Sequence, residues 1–265
     1  MPVLAKAISL ILSLFGACLF MINPVFAGES HAPEHIFEQA LEASKAGAFF
    51  EALEYWDKFL ESFPEDGVAL GNRGTVRFAL GDFEGAISDQ TKSIEFLPNE
   101  IDSHLNRGIA EEALQLWKAA ESDYNWILER EDNDASALYN LGNVMIAQRK
   151  WEKAETLFSK AALARTSFPM ARSSKALVLF QLGELEIAES ELRTIIRKYP
   201  MFADARAALS ALLWRKGSLG EAESNWAATF GLDNRYMDKD WLENVRRWPP
   251  DPISDLLAFL ALDRR

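Results

Sequence analysis

Six alanines, at positions 52, 86, 120, 154, 188 and 222, stand 34 residues apart without a break. A spacing held through six copies requires a structural unit of fixed length, and units of roughly 20–50 residues stack into arrays instead of closing around one core. Twelve residues before each alanine lies a second small residue: Ala40, Gly74, Gly108, Gly142, Ala176 and Ser210. A third column is aromatic or Leu, at Phe49, Phe83, Trp117, Trp151, Leu185 and Leu219. Glycines at 47, 81, 183 and 217 precede four of the alanines by five residues, while Gln115 and Arg149 take that place in copies three and four, where stiffer turns are expected. Pro64, Pro98 and Pro200 end three copies. Each copy therefore reads as helix, tight turn, helix and short loop. In the second copy the helices fall over 69–80 and from 83 to about 96, and Pro98 stops the second because its ring cannot continue a helix.

The three columns together resemble the tetratricopeptide repeat, in which two helices cross where both carry small residues. The copies run 33–66, 67–100, 101–134, 135–168, 169–202 and 203–236, after an N-terminal flank at 28–32. The resemblance implies an all-α fold: a right-handed superhelical solenoid of six 34-residue helix-turn-helix repeats plus C-terminal capping helices. Neither helix of a repeat can bury its apolar face alone, so neighbours must bury it jointly. Residues 237–265 depart from the pattern. Trp241, Leu242 and Val245 suggest one helix, stopped at Trp248-Pro249-Pro250, and Pro252 opens a second with Ile253, Leu256, Leu257, Phe259 and Leu260 as its apolar side. This tail is expected to cap the array by covering the second helix of the last copy, with a docking helix for a partner as the alternative.

Residues 1–27 read as a secretory signal. Lys6 is their one charge, the apolar run 7–22 is short for a membrane span, and Ala27 offers a small residue before the cut. No twin Arg is present, which favours the general export route. The run continues past Cys18, against a lipidation site there; cleavage after Ala27 would leave no cysteine, hence neither disulfide nor thiol nucleophile. The formal net charge of −12 argues against nucleic-acid partners and against direct binding to anionic lipid. Charge is uneven: copies one to three carry −15 together, while the remainder from copy four onward carries +3. An acidic half would steer basic partners toward it.

Arg73 and Arg107 sit in identical Asn-Arg-Gly triplets, and sixteen residues after each stands an acid, Asp89 or Asp123. The fifth copy has Lys175 and Glu191 in these places, and the fourth has Leu141 and Leu157. Columns that change character together are expected to touch, so these Arg are read as internal ion pairs, with ligand binding as the other reading. Asn72, Asn106 and Asn140 form a column on the first helices, which line the concave face in this family. Their amides could hold a peptide backbone, or could serve stacking between repeats. Phe78, Ile146, Phe180 and Trp214 form a second column that should border the groove as exposed apolar anchors. The carboxylate clamp of the family's chaperone-tail binders is absent, since its places hold Phe37, Leu41, Gly71 and Thr75. His31 and His35 flank Pro33, which reads as a helix start and not a metal site, and His104 reads as core.

No nucleophile-base pair, phosphate loop or metal cluster is apparent, and no cofactor is expected. The sequence reads as an exported, monomeric, non-enzymatic scaffold holding a protein or peptide partner, of basic character, in its concave groove. An exported enzyme or envelope-remodelling factor with a cryptic site is the alternative. The run 123–130 and the Arg-Arg-Trp-Pro-Pro segment at 246–250 also resemble repeat proteins of cyanobacteria and the plastid lumen. That resemblance implies a periplasmic or thylakoid-lumen address and help in assembling photosynthetic membrane complexes.

Overall fold

The computed structural model describes residues 32–262. The segment read as a signal, its expected cut after Ala27, Cys18 and His31 lie outside them. Twelve helices follow in six pairs: α1 (Ala32–Ala46), α2 (Phe49–Ser62), α3 (Gly67–Leu80), α4 (Phe83–Phe96), α5 (Ile101–Ala113), α6 (Trp117–Leu128), α7 (Ala135–Ala147), α8 (Trp151–Ala164), α9 (Pro169–Gln181), α10 (Leu185–Lys198), α11 (Ala203–Arg215) and α12 (Leu219–Leu232). A 3-10 turn (Asn234–Met237), α13 (Lys239–Asn244) and α14 (Pro250–Leu260) complete the chain. No strand occurs among the described residues, and no described helix is long and apolar enough to cross a membrane. The chain divides into two compact units at the Ile127–Leu128 bond, inside the last turn of α6.

The alanine column explains the period. All six alanines are buried without remainder or nearly so, at the crossing of first and second helices. The other small column faces a large one sixteen residues later: a Cβ on Gly108 would stand 2.7 Å from the Tyr124 ring, and one on Gly142 would stand 2.6 Å from the Phe158 ring. Real side chains do not pack so closely, so glycine here is a requirement of the helix crossing. The turns need a left-handed residue. Gly47, Gly81, Gly183 and Gly217 supply it with φ between 74° and 85°, but Gln115 and Arg149 adopt φ of 59° and 57° without glycine's freedom. That conformation costs an L-residue about 1 kcal/mol, and the buried helix crossings on either side impose it. Asp66, Asp82 and Asp134 cap α3, α4 and α7 by accepting from the backbone N–H groups of Ala69, Gly85 and Ala137.

In the N-terminal unit the core centres on Trp56, whose ring meets Phe37 edge-on at 5.0 Å and whose indole N–H donates to Ser44 Oγ at 3.1 Å. In the C-terminal unit α9 and α11 are buried on nearly every side. The reason is the tail, and its placement corrects the sequence expectation. α14 does not cover α12, whose Leu219 and Phe230 remain exposed. It packs instead on the first helices α9 and α11, where Pro252, Ile253, Leu256 and Phe259 become buried. The tail packs on first helices and not on the expected second helix, because α11 has apolar residues all around it.

Candidate partner-binding surface

The paired columns of the sequence meet in space. Arg73 donates from Nε and Nη2 to both oxygens of Asp89, at 2.8 Å each, and from Nη1 to Asp57 of the preceding repeat at 2.7 Å. Arg107 grips Asp123 in the same way at 2.7 Å and reaches Thr91 of the preceding repeat at 3.3 Å. Each Arg thus joins first helix to second helix and one repeat to the next. Lys175 meets Glu191 at 3.5 Å, with Arg172 closer to the same carboxylate at 2.9 Å. These cations are internal ion pairs, as the covariation within the chain indicated.

His104 Nδ1 lies 2.8 Å from Asp123 Oδ1, and its ring stacks on Trp126 at 3.7 Å between centroids. Burial pushes the Asp123 carboxyl up, but the hydrogen bonds from Arg107 and His104 outweigh it and hold the group below the usual range. Its neighbour Glu111 has the opposite fate. Glu111 is 7% exposed and its Oε2 has no hydrogen-bond partner. Burial, with repulsion from Asp123 added and Arg107 opposing, pushes its pKa up to about 7. Among the described residues no group of His, Cys, Asp and Glu could hold a metal ion.

The candidate groove residues separate into three kinds. Asn106 and Phe78 remain half-buried on α5 and α3: the Asn106 amide donates to Thr75 Oγ1 at 3.4 Å, and Phe78 leans on Phe83 at 5.3 Å. Asn72 and Asn140 are buried, and the Asn72 amide nitrogen has no partner. The apolar column departs from expectation. Ile146 on α7 and Phe180 on α9 are core residues, with Phe180 0% exposed. Trp214 on α11 is half-buried and packs against Phe259 of α14 at 6.2 Å. These three side chains are not free anchors: Ile146 is buried in the core of its own unit, and the tail supplies a second layer over α9 and α11 at Phe180 and Trp214.

The sequence reading missed what pins that tail. Asp204, at the start of α11, is 1% exposed and accepts four kinds of donor. Its Oδ1 receives Tyr236 Oη at 3.0 Å, Trp248 Nε1 at 3.1 Å and Arg246, whose Nη2 stands 2.6 Å away; its Oδ2 receives Ser173 Oγ at 2.6 Å. Arg246 is itself buried, and although burial works against its charge, Asp204 and its surroundings hold it firmly protonated. The Arg-Arg-Trp-Pro-Pro segment is therefore a structural clasp. Its signal was an acid in the otherwise Ala- and Leu-rich α11, which needed a cation from elsewhere.

No curated protein matches the sequence. The architecture, however, recurs widely. A tetratricopeptide repeat protein from Parabacteroides merdae superposes with a TM-score of 0.67 at 19% identity, over 86% of this chain and 98% of that one. A structure described as the APC/C hetero-tetramer Cut9-Hcn1 gives 0.68 at 16% identity, over 85% of this chain and 42% of that one. YrrB, described as a tetratricopeptide repeat protein with an unusual peptide-binding site, gives 0.54 at 19% identity, over 70% and 96%. The profile of the tetratricopeptide repeat matches residues 37–99, 105–169 and 174–230. With its alanine crossings, left-handed turns and tandem helix pairs, the chain belongs to the tetratricopeptide repeat family.

Proposed function

We propose that this chain is an exported, non-enzymatic scaffold that holds a basic protein or peptide segment on the first helices of its N-terminal unit. The observation that carries the reading is the α3 and α5 surface, where Phe78, Thr75 and Asn106 keep partial exposure. Half-buried aromatics supply binding energy, and amides set the register of a bound backbone. The net charge of −15 over the first three copies supports a basic partner through steering. The peptide-binding site attributed to YrrB, which shares this fold, supports a peptide or protein as the ligand.

Export rests on the N-terminal apolar segment and the small residue at Ala27. The resemblance at 123–130 and 246–250 supports a periplasmic or thylakoid-lumen address and a role in assembling photosynthetic membrane complexes; the chain is read as a monomer. The test has two parts. N-terminal sequencing of the mature protein from fractionated cells should begin at Gly28; a chain that retains residues 1–27 in the cytoplasm overturns export. Phe78→Ala combined with Asn106→Ala should weaken capture of the membrane-derived partner by about 2 kcal/mol with unchanged melting. Undiminished capture moves the site away from α3 and α5.

A further inference from the structure

The tail has two parts that are held in different ways. Residues up to Trp248 are fastened by the buried Asp204 carboxylate, through Tyr236, Arg246 and Trp248. Pro249-Pro250 follows, and α14 contributes no donor to that carboxylate. What holds α14 is an apolar stripe, one cation, one backbone hydrogen bond to Gln181 and packing on α13. Ile253, Leu256 and Phe259, three residues apart, lie buried against α9 and α11. Asp251 and Asp255, one turn apart at the edge of that stripe, both pair with Arg215: Asp251 Oδ2 stands 3.3 Å from its Nη2, and Asp255 meets its Nε. The Arg215 guanidinium also lies 4.9 Å above the Phe180 ring, and Gln181 Oε1 accepts from the Asp251 backbone N–H at 2.9 Å. The ion pairs are partly exposed, so water and salt can replace them.

We propose that the face formed by Phe180, Gln181, Trp214 and Arg215 is a recognition surface for an acidic amphipathic helix, and that α14 is its resident, exchangeable occupant. The partner helix carries apolar residues at i, i+3 and i+6 and two carboxylates one turn apart, at i−2 and i+2, along the edge of that stripe. α14 can leave without removing a donor from Asp204, so exchange does not unfasten the clasp. Among helical ligands this chemistry selects acid: a basic helix would bring Lys or Arg against Arg215. The inference extends the scaffold reading to a second surface, of opposite charge preference to the acidic N-terminal unit.

The full-length chain tests it, with a fluorescent peptide of residues 249–262 as probe. A full-length variant carrying Ile253→Asp and Leu256→Asp empties its own surface. It should bind the unmodified peptide at least tenfold more tightly than the unaltered chain does. Adding Arg215→Glu should remove at least tenfold of that affinity, and a peptide carrying Asp251→Lys and Asp255→Lys should recover it. Equal binding by emptied and unaltered chains, or indifference to Arg215→Glu, overturns the proposal. Should the emptied variant fail to fold, hydrogen exchange on the unaltered chain decides: α14 amides should exchange at least a hundredfold faster than those of α11, and joint exchange overturns it. A stable dimer in light scattering, with α14 traded between copies, also overturns it by making a second copy the occupant. Loss of partner capture on α3 and α5 leaves all these readouts unmoved, so failure of that reading is told apart from failure of this one.

Discussion

The first helices of the two units meet the same problem with opposite chemistry. On α3 and α5 the seventh residue of the repeat is Arg73 or Arg107, locked to an acid on its own second helix. On α7 and α11 the same place holds buried Leu141 and Leu209, and only α9 keeps a paired cation there, Lys175 with Glu191. The N-terminal unit therefore satisfies its charges locally, repeat by repeat, and keeps Thr75, Phe78 and Asn106 partly exposed. The C-terminal unit has few charges on these helices and so recruits a further layer, held by one buried ion pair at Asp204 and one edge cation at Arg215. The contrast teaches that a repeat fold fixes where side chains stand, whereas their polarity decides whether a face stays available or is covered.

The comparison breaks first at Arg246. Arg246→Met leaves the Asp204 charge buried without a counter-ion and should destabilise the chain by about 3–5 kcal/mol in urea denaturation. Asp204→Leu added to Arg246→Met should recover part of that loss. A loss as small as that of an exposed pair would mean that the clasp does not hold the tail. Arg107→Leu should cost less, about 1–3 kcal/mol, because Asp123 keeps its contact with His104. Arg107→Leu with Asp123→Leu should restore most of it, since Leu141 and Leu157 already form such a pair in the fourth copy. Strictly additive losses in this cycle would contradict the contact.

Glu111 sharpens the contrast through pH. Its folded pKa, about 7, lies above the ordinary value of 4.5, so the folded state binds the proton more tightly. Its contribution to stability is present below pH 4.5 and is lost as pH rises to about 7. Glu111→Gln should therefore stabilise the chain by about 2 kcal/mol above pH 7 and change little near pH 4. A pH-independent effect would show that the carboxyl finds a partner in solution. The smallest effect belongs to the turns: Gln115→Gly and Arg149→Gly should each raise stability by about 0.5–1 kcal/mol, by relieving a left-handed conformation. No gain at either turn would mean that the added freedom of the unfolded chain cancels the relief.

Much of this protein was legible in its residues. The 34-residue columns determine the helix pairs, because a helix crossing tolerates only small residues and a fixed spacing admits no insertion. The Arg–Asp staples were legible too, since copies of one repeat act as each other's controls and two columns that change together must touch. What the columns could not decide was the fate of the groove. Phe180 occupies the same place in the repeat as Phe78, yet it is fully buried while Phe78 is half-buried. Periodicity assigns a side chain to a face of its own helix; it does not say which distant segment lies on that face. Only the tertiary structure brought Arg246 to Asp204, 42 residues earlier in the chain, and laid α14 on α9 and α11. The physical reason is that this contact lies outside the repeat. It depends on one acid buried in an apolar helix, whose need for a cation the sequence states but whose partner only folding selects.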